Sequence, residues 1–232
     1  AEVDETLAAL ESETARLLAT VAGLDDPAAA SGCDGWTRGH ILTHLARNAD
    51  GLAGLVRAAV DGSGETMYAS AQARDADIEA GAGRAMPDLA DDLRTSSARL
   101  AQALPRLAGL DAGLLVERTP GGPRFRAADL PTMRLREVLY HHADLRAGFD
   151  FEDFPPDLVA TYLAREVTAL AGLPDAPAVT LAPAGQEPIG VGPGGPTVAG
   201  SPAALLRWLA RRDPAGVHAL DGDVLPELPR GS

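Results

Sequence analysis

The stretch Arg136-Glu137-Val138-Leu139-Tyr140-His141-His142 decides how the chain is read. Glu137 and His141 are four residues apart, so on a helix they share one face, with Cβ atoms about 5–6 Å apart. A carboxylate and an imidazole at that spacing can hold one divalent metal ion together. The same spacing suits a salt-bridged pair on a solvated helix face, and spacing alone leaves both readings open. His142 lies nearer the centre of the apolar stripe from Val138 to Leu145. A buried ring there needs only a hydrogen-bond partner. Helical geometry with Glu137 is what favours His141. Two ligands do not complete a site, because catalytic zinc usually takes three protein ligands and leaves a fourth position open.

The third candidate lies far upstream, in Gly35-Trp36-Thr37-Arg38-Gly39-His40-Ile41-Leu42-Thr43-His44. On a helical wheel Ile41, Leu45, Asn48, Leu52, Leu55 and Val56 share a face. His44 sits on the edge of that face and His40 turns further towards solvent. The pair His40 and His44 lacks the adjacent Glu of the zinc-protease motif. A histidine satisfied at a helix interface is the plain alternative for His44. The expectation is that His44, Glu137 and His141 meet inside a helical bundle.

Composition narrows the classes of function. The chain has 232 residues, enough for one large domain or two small ones with a sizeable core. It carries 20 basic residues, all Arg, against 33 acidic ones, for a net charge of −13. An acidic chain without a basic run is poorly suited to nucleic acid or anionic lipid. Arg in place of Lys fits GC-rich coding, and any Arg that reaches a pocket can grip a carboxylate bidentately. A single cysteine, Cys33, excludes an internal disulfide and a multi-cysteine zinc ribbon. It sits in a loop with no basic partner near in sequence, which favours a free thiol over a nucleophile. No apolar run reaches about 18 residues and no basic-then-apolar leader opens the chain. A soluble, cytoplasmic protein is expected.

Apolar spacing predicts a first helix from Asp4 to about Ala22, and a second from an N-cap at Thr37 to about Val60. Ser70 caps a short helix over Ala71–Ala80. Pro87 opens another over Asp88–Leu104, with acidic residues early. Leu114–Arg118 and Arg124–Arg126 read as a hairpin or extended excursion around Thr119-Pro120-Gly121-Gly122-Pro123. Helix resumes near Pro131 and carries Glu137 and His141. The composition changes at Asp150-Phe151-Glu152-Asp153-Phe154-Pro155-Pro156. Beyond it come a helix over Asp157–Leu170, small strands among the Pro and Gly of 174–200, and a helix from Ser201-Pro202 to Arg212. The expected architecture is a mainly α chain: a helical bundle over 1–150 and a small α+β domain over 151–232.

The block from Gly35 to His44, with Asn48 after it, resembles the signature of the mycothiol-dependent maleylpyruvate isomerases. Met67-Tyr68-x-Ser70-x-x-Ala73-Arg74 with Ile78-Glu79 is similar to that family's second block. Leu135-Arg136-Glu137-Val138-x-x-His141-x-x-Asp144-Leu145 is similar to its third. Gly200-Ser201 to Arg207, Arg212 and Gly216-Val217 resembles its C-terminal domain. The resemblance implies a DinB-like four-helix bundle with a small C-terminal domain, one zinc ion and mycothiol as cofactor. It places the metal ligands on His44, Glu137 and His141, and functional arginines on Arg74 and Arg212.

The implied reaction is a cis–trans isomerisation of maleylpyruvate to fumarylpyruvate. An external thiolate adds to the conjugated double bond, the resulting single bond rotates, and elimination returns the thiol. Zinc would hold the thiol as thiolate, and Arg74 and Arg212 would clamp carboxylates. The implied partners are a small dicarboxylate and a low-molecular-weight thiol, with neither nucleic acid nor membrane. A mycothiol S-transferase on the same fold is the near alternative, since fold does not fix chemistry. A zinc-binding regulatory module is the more distant one, since a metal–thiolate regulator calls for more cysteines than one.

Overall fold

The structure is a computed structural model that describes residues 2–222 and 224–229. Contacts divide the chain into two compact units, one up to Gly148 and one from Phe149 onward. The first unit is built on four long helices: α1 (Glu2–Ala22), α2 (Arg38–Asp61), α4 (Met86–Ala103) and α5 (Leu130–Asp144). Helix α1 packs on α4 and α5, and so does α2, which closes a four-helix bundle. The shorter α3 (Ala71–Ala82) lies along α2. The core is aliphatic: Leu17, Ile41, Leu42, Leu45, Leu52, Leu55, Leu89, Leu93, Leu130, Val138 and Leu139 are fully enclosed.

The ends of these helices follow from their sequence. Thr37 caps α2 by a reciprocal pair of bonds: its hydroxyl accepts from the His40 backbone N–H, and His40 Nδ1 accepts from the Thr37 N–H at 3.1 Å. Gly62 ends α2 in a left-handed conformation, at φ 67°. The Ser70 hydroxyl accepts from Ala73 N–H at 3.0 Å and starts α3 as expected.

Two contacts join the loop before α2 to the end of α5. Arg38 Nε donates to the Leu145 carbonyl at 2.9 Å, and Gly32 N–H donates to the Asp144 carbonyl at 2.7 Å. A Cβ at residue 32 would stand 2.7 Å from Asp144 Oδ1 and 3.1 Å from its Cα, so the close approach depends on glycine. Deeper in the bundle, Arg134 is fully buried. It donates to the Leu45 carbonyl at 2.8 Å, Asn48 Oδ1 at 2.7 Å and Ser97 Oγ at 3.3 Å. Burial pushes its pKa down to about 10, still charged at neutral pH.

Between α4 and α5 the expected excursion is a two-stranded hairpin, β1 (Leu115–Glu117) with β2 (Arg124–Arg126), antiparallel with Val116 opposite Phe125. The second unit contains α6 (Pro156–Ala171), α7 (Pro202–Arg211) and a four-stranded sheet. Its strands are β3 (Val179–Pro183), β4 (Ile189–Val191), β5 (Thr197–Gly200) and β6 (Val217–Ala219), in the order β4-β3-β5-β6. The pair β3–β5 is parallel and the others are antiparallel. Alternate residues Val179 and Leu181 of β3 are buried, with Val198, Leu205 and Leu206 beside them in the core of this unit. Strand β6 has no counterpart in the sequence reading: its three residues are too few to show a period. Mainly helical with a small α+β part, the architecture agrees with the expected class. Among the described residues, no helix is long and apolar enough to cross a membrane.

Candidate metal centre

Helix α2 presents His44 and helix α5 presents Glu137 and His141 to a common point. His44 Nε2 lies 2.8 Å from Glu137 Oε2, and His141 Nε2 lies 3.4 Å from the same oxygen. One ligand atom from each of the three residues falls within 4.8 Å of the other two. The two imidazoles meet edge to face with centroids 4.7 Å apart. His44 is buried and the other two are half-buried.

The ring nitrogens facing away from this point are engaged as well. His141 Nδ1 lies 2.8 Å from Asp144 Oδ2, one turn further along α5. Asp144 is itself buried, and the Cys33 thiol donates to the same oxygen at 3.3 Å. Arg74, in the first turn of α3, places Nη2 at 3.3 Å from His44 Nδ1 and pairs through Nη1 with Asp75 at 2.7 Å. A guanidinium only donates, so His44 Nδ1 accepts and its ring proton sits on Nε2, pointing at Glu137. Trp36 covers the group, with its ring 5.4 Å from that of His44 and 6.4 Å from that of His141.

Charge is distributed unevenly over the three residues. Burial drives His44 down to about 4, against the opposing hydrogen bond to Glu137, so its ring is neutral at pH 7. Burial acts on His141 in the same direction, but Asp144, Cys33 and Glu137 outweigh it and hold the imidazolium well above its ordinary range. Glu137 is held well below the usual carboxylate range: burial would raise it, and the bonds from His141 and His44 prevail.

This donor set fits a divalent cation. Two imidazoles and one carboxylate are a catalytic zinc set with one position left over. The N–H···O contacts on Glu137 Oε2 mark the protons that a cation would replace. A second trio, Cys33, His141 and Asp144, also brings three potential donors together. Its carboxylate already accepts from both other members, which suits an outer group that orients His141 rather than a second cation site.

The other candidates fall elsewhere. His40 is committed to the Thr37 cap and to Glu79, with Nε2 at 3.1 Å from Oε2. His142 is buried, as its place on the apolar stripe predicted, and its Nε2 lies 2.7 Å from Thr20 Oγ1. Arg212 belongs to the second unit, where it ends α7 in a left-handed conformation at φ 58° and donates through Nε to the Pro229 carbonyl at 2.9 Å. Cys33 is a free thiol, as expected, and its hydrogen-bond partner is the Asp144 carboxylate of α5, 111 residues away. Asp144 was the residue given no role. Its spacing of three from His141 was the available signal.

Comparison with known proteins places this geometry in context. The family model described as the mycothiol maleylpyruvate isomerase N-terminal domain matches residues 8–146. The crystal structure of a mycothiol-dependent maleylpyruvate isomerase is similar at 29% identity, with a TM-score of 0.89 over 98% of this chain and 96% of that one. A histidine-to-alanine mutant of that enzyme is similar at 28% identity, with the same TM-score and coverage. No curated protein matches the sequence.

Proposed function

This chain belongs to the mycothiol maleylpyruvate isomerase family, and on that premise we propose that it is a zinc- and mycothiol-dependent cis–trans isomerase converting maleylpyruvate to fumarylpyruvate. The observation that carries the reading is the convergence of His44, Glu137 and His141 on one point. A zinc ion held there would supply Lewis acidity and keep a bound thiol in its nucleophilic, deprotonated form. Mycothiol would supply the sulfur that adds reversibly to the cis double bond, whose carbons then turn about a single bond before elimination regenerates the thiol.

The residues of the chain do the holding. His141 keeps a proton on Nδ1 for Asp144, which leaves Nε2 as its ligand atom. For His44 to ligate through Nε2, its proton must move to Nδ1. That nitrogen then stops accepting from Arg74, and the guanidinium gains a free donor for a carboxylate of the substrate. Trp36 shields the rings from water on one side. Arg212 is proposed as the second arginine of the reaction on the family resemblance; its observed bonds lie within its own unit.

An ultraviolet assay with maleylpyruvate, run with and without mycothiol on the zinc-loaded protein, tests the proposal. Turnover to the trans isomer that depends on mycothiol and leaves it unconsumed is expected. A stable thioether product would make the protein an S-transferase instead, and no reaction in either sense would reject the isomerase reading.

A further inference from the structure

The β1–β2 hairpin is bonded, backbone to backbone, to the segment that leads into α3. Met67 N–H donates to the Glu117 carbonyl at 3.1 Å, and Tyr68 N–H donates to the Arg118 carbonyl at 2.9 Å. Arg118 N–H in turn donates to the Pro123 carbonyl at 2.8 Å, which closes the hairpin turn. These bonds fix Arg118 beside Tyr68. Its guanidinium carbon stands 5.8 Å from the centroid of the Tyr68 ring, and that of Arg74 stands 5.9 Å from the same centroid. Arg74 touches His44, so it links the Tyr68 ring, and through that ring Arg118, to the candidate metal centre.

We propose that Arg118, Arg74 and Tyr68 form a carboxylate-binding subsite at the edge of this centre, with Arg118 supplied by the hairpin as a specificity-determining residue. That its occupant is a carboxylate of the isomerase substrate rests on the function proposed above; the subsite itself rests on geometry. Two guanidiniums drawn to one ring repel each other, and an anion between them removes that cost. Neither is saturated by the protein. Arg74 Nε is buried with no hydrogen-bond partner among the described residues. Arg124 and Arg126, on the same hairpin, are paired with Glu117 at 2.9 Å and Asp129 at 2.8 Å. Among the described residues no carboxylate pairs with Arg118. In a chain with 33 acidic residues, carboxylates to pair with it are not scarce. Burial raises the Tyr68 phenol above its ordinary range, so the ring stays neutral beside the two cations. A neutral ring accepts a guanidinium on its face, which leaves the N–H edge of Arg118 and the Nε of Arg74 to meet a carboxylate.

The test is calorimetric titration of the zinc-loaded protein with maleate, a cis-dicarboxylate that lacks the keto acid group, alongside steady-state kinetics. Arg118→Ala should weaken maleate binding by about tenfold and raise KM for maleylpyruvate by about as much, with kcat within about twofold of the wild type. Arg118→Lys should recover part of the loss, having the charge without the fork. Arg124→Ala, on the same hairpin, should change neither constant. Arg118 is exposed, so its removal leaves the fold in place. If Arg118→Ala leaves both the maleate Kd and the KM unmoved, the subsite is overturned. If maleate binding depends on Arg118 while maleylpyruvate is not turned over, the subsite stands and the isomerase reading falls.

Discussion

Asp144 Oδ2 sits 2.8 Å from His141 Nδ1, three residues back on the same helix, and it accepts the Cys33 thiol as well. A ligand imidazole whose far nitrogen is bonded to a buried carboxylate is held in one tautomer and one orientation. Asp144→Asn keeps the shape and removes the charge. Zinc affinity, measured by competition with a chelator, should fall by roughly 10–100-fold. Unchanged affinity would leave Asp144 with a packing role only.

The proposed ligands are tested by emptying the centre. His44→Ala or His141→Ala should abolish stoichiometric zinc by metal analysis while the helical circular dichroism signal is retained. His40→Ala and His142→Ala should both keep their zinc, because those rings are bonded to Glu79 and Thr20. His142 is buried, so its variant should also be less stable, by about 1–3 kcal/mol, through the unpaired Thr20 hydroxyl and the space left behind. Full zinc in a His44 or His141 variant would strike that residue from the set.

Acid should weaken the metal-free protein in a defined window. His44 falls from 6.5 to about 4 on folding, so between those values the unfolded chain takes up a proton that the native chain refuses. Stability is therefore lost as pH falls through that range, on the order of 3 kcal/mol for this residue. Glu137 adds to the loss further down, because its stabilising contribution is present above 4.5 and disappears as it is protonated. His141 works the other way: its contribution is complete below 6.5 and fades as pH rises through its elevated native value. Urea midpoints measured across the acid range should show the His44 loss in the wild type and a flattened slope in His44→Gln. Zinc uptake should release protons, and its affinity should rise with pH, because His141 must give up its Nε2 proton.

Cys33→Ser should retain most activity at saturating mycothiol, since serine still donates to Asp144 and an external thiol carries the chemistry. A loss of about a thousandfold in a folded, zinc-loaded variant would mean that the nucleophile is internal.

Arg212→Ala should lower kcat/KM by at least about tenfold with full zinc and an unaltered melting profile, if this arginine serves the reaction. Arg211→Ala should be nearly silent. The reverse pattern would assign the role to Arg211, and two active variants would remove both.

Local signals carried much of the fold. Thr37 and Ser70 announce α2 and α3 because a hydroxyl one residue before an apolar period satisfies the first free N–H groups. The i,i+4 spacing of Glu137 and His141 was likewise visible, because it needs nothing beyond one helix. What lay outside reach was set by contacts across the bundle. His142 turns inward as its place on the apolar stripe predicted, but its partner, Thr20 on α1, is 122 residues away and was not visible. Cys33 looked isolated because its partner is 111 residues away. Arg118 looked like one charge among twenty, until the hairpin bonds placed it over Tyr68.

Gly32 has no side chain and touches no candidate ligand, yet it works as a spacer gauge for the whole centre. The distance between its loop and Asp144 is the thickness of a bare backbone, and that distance sets where the carboxylate behind His141 stands. A methyl group added there would have to displace the carboxylate or lift the loop. Either shift would propagate through one hydrogen bond to the imidazole and through Trp36 to its cover. Metal affinity at the proposed centre would thus be set partly by an absence of atoms, at a residue that no inventory of functional groups would include.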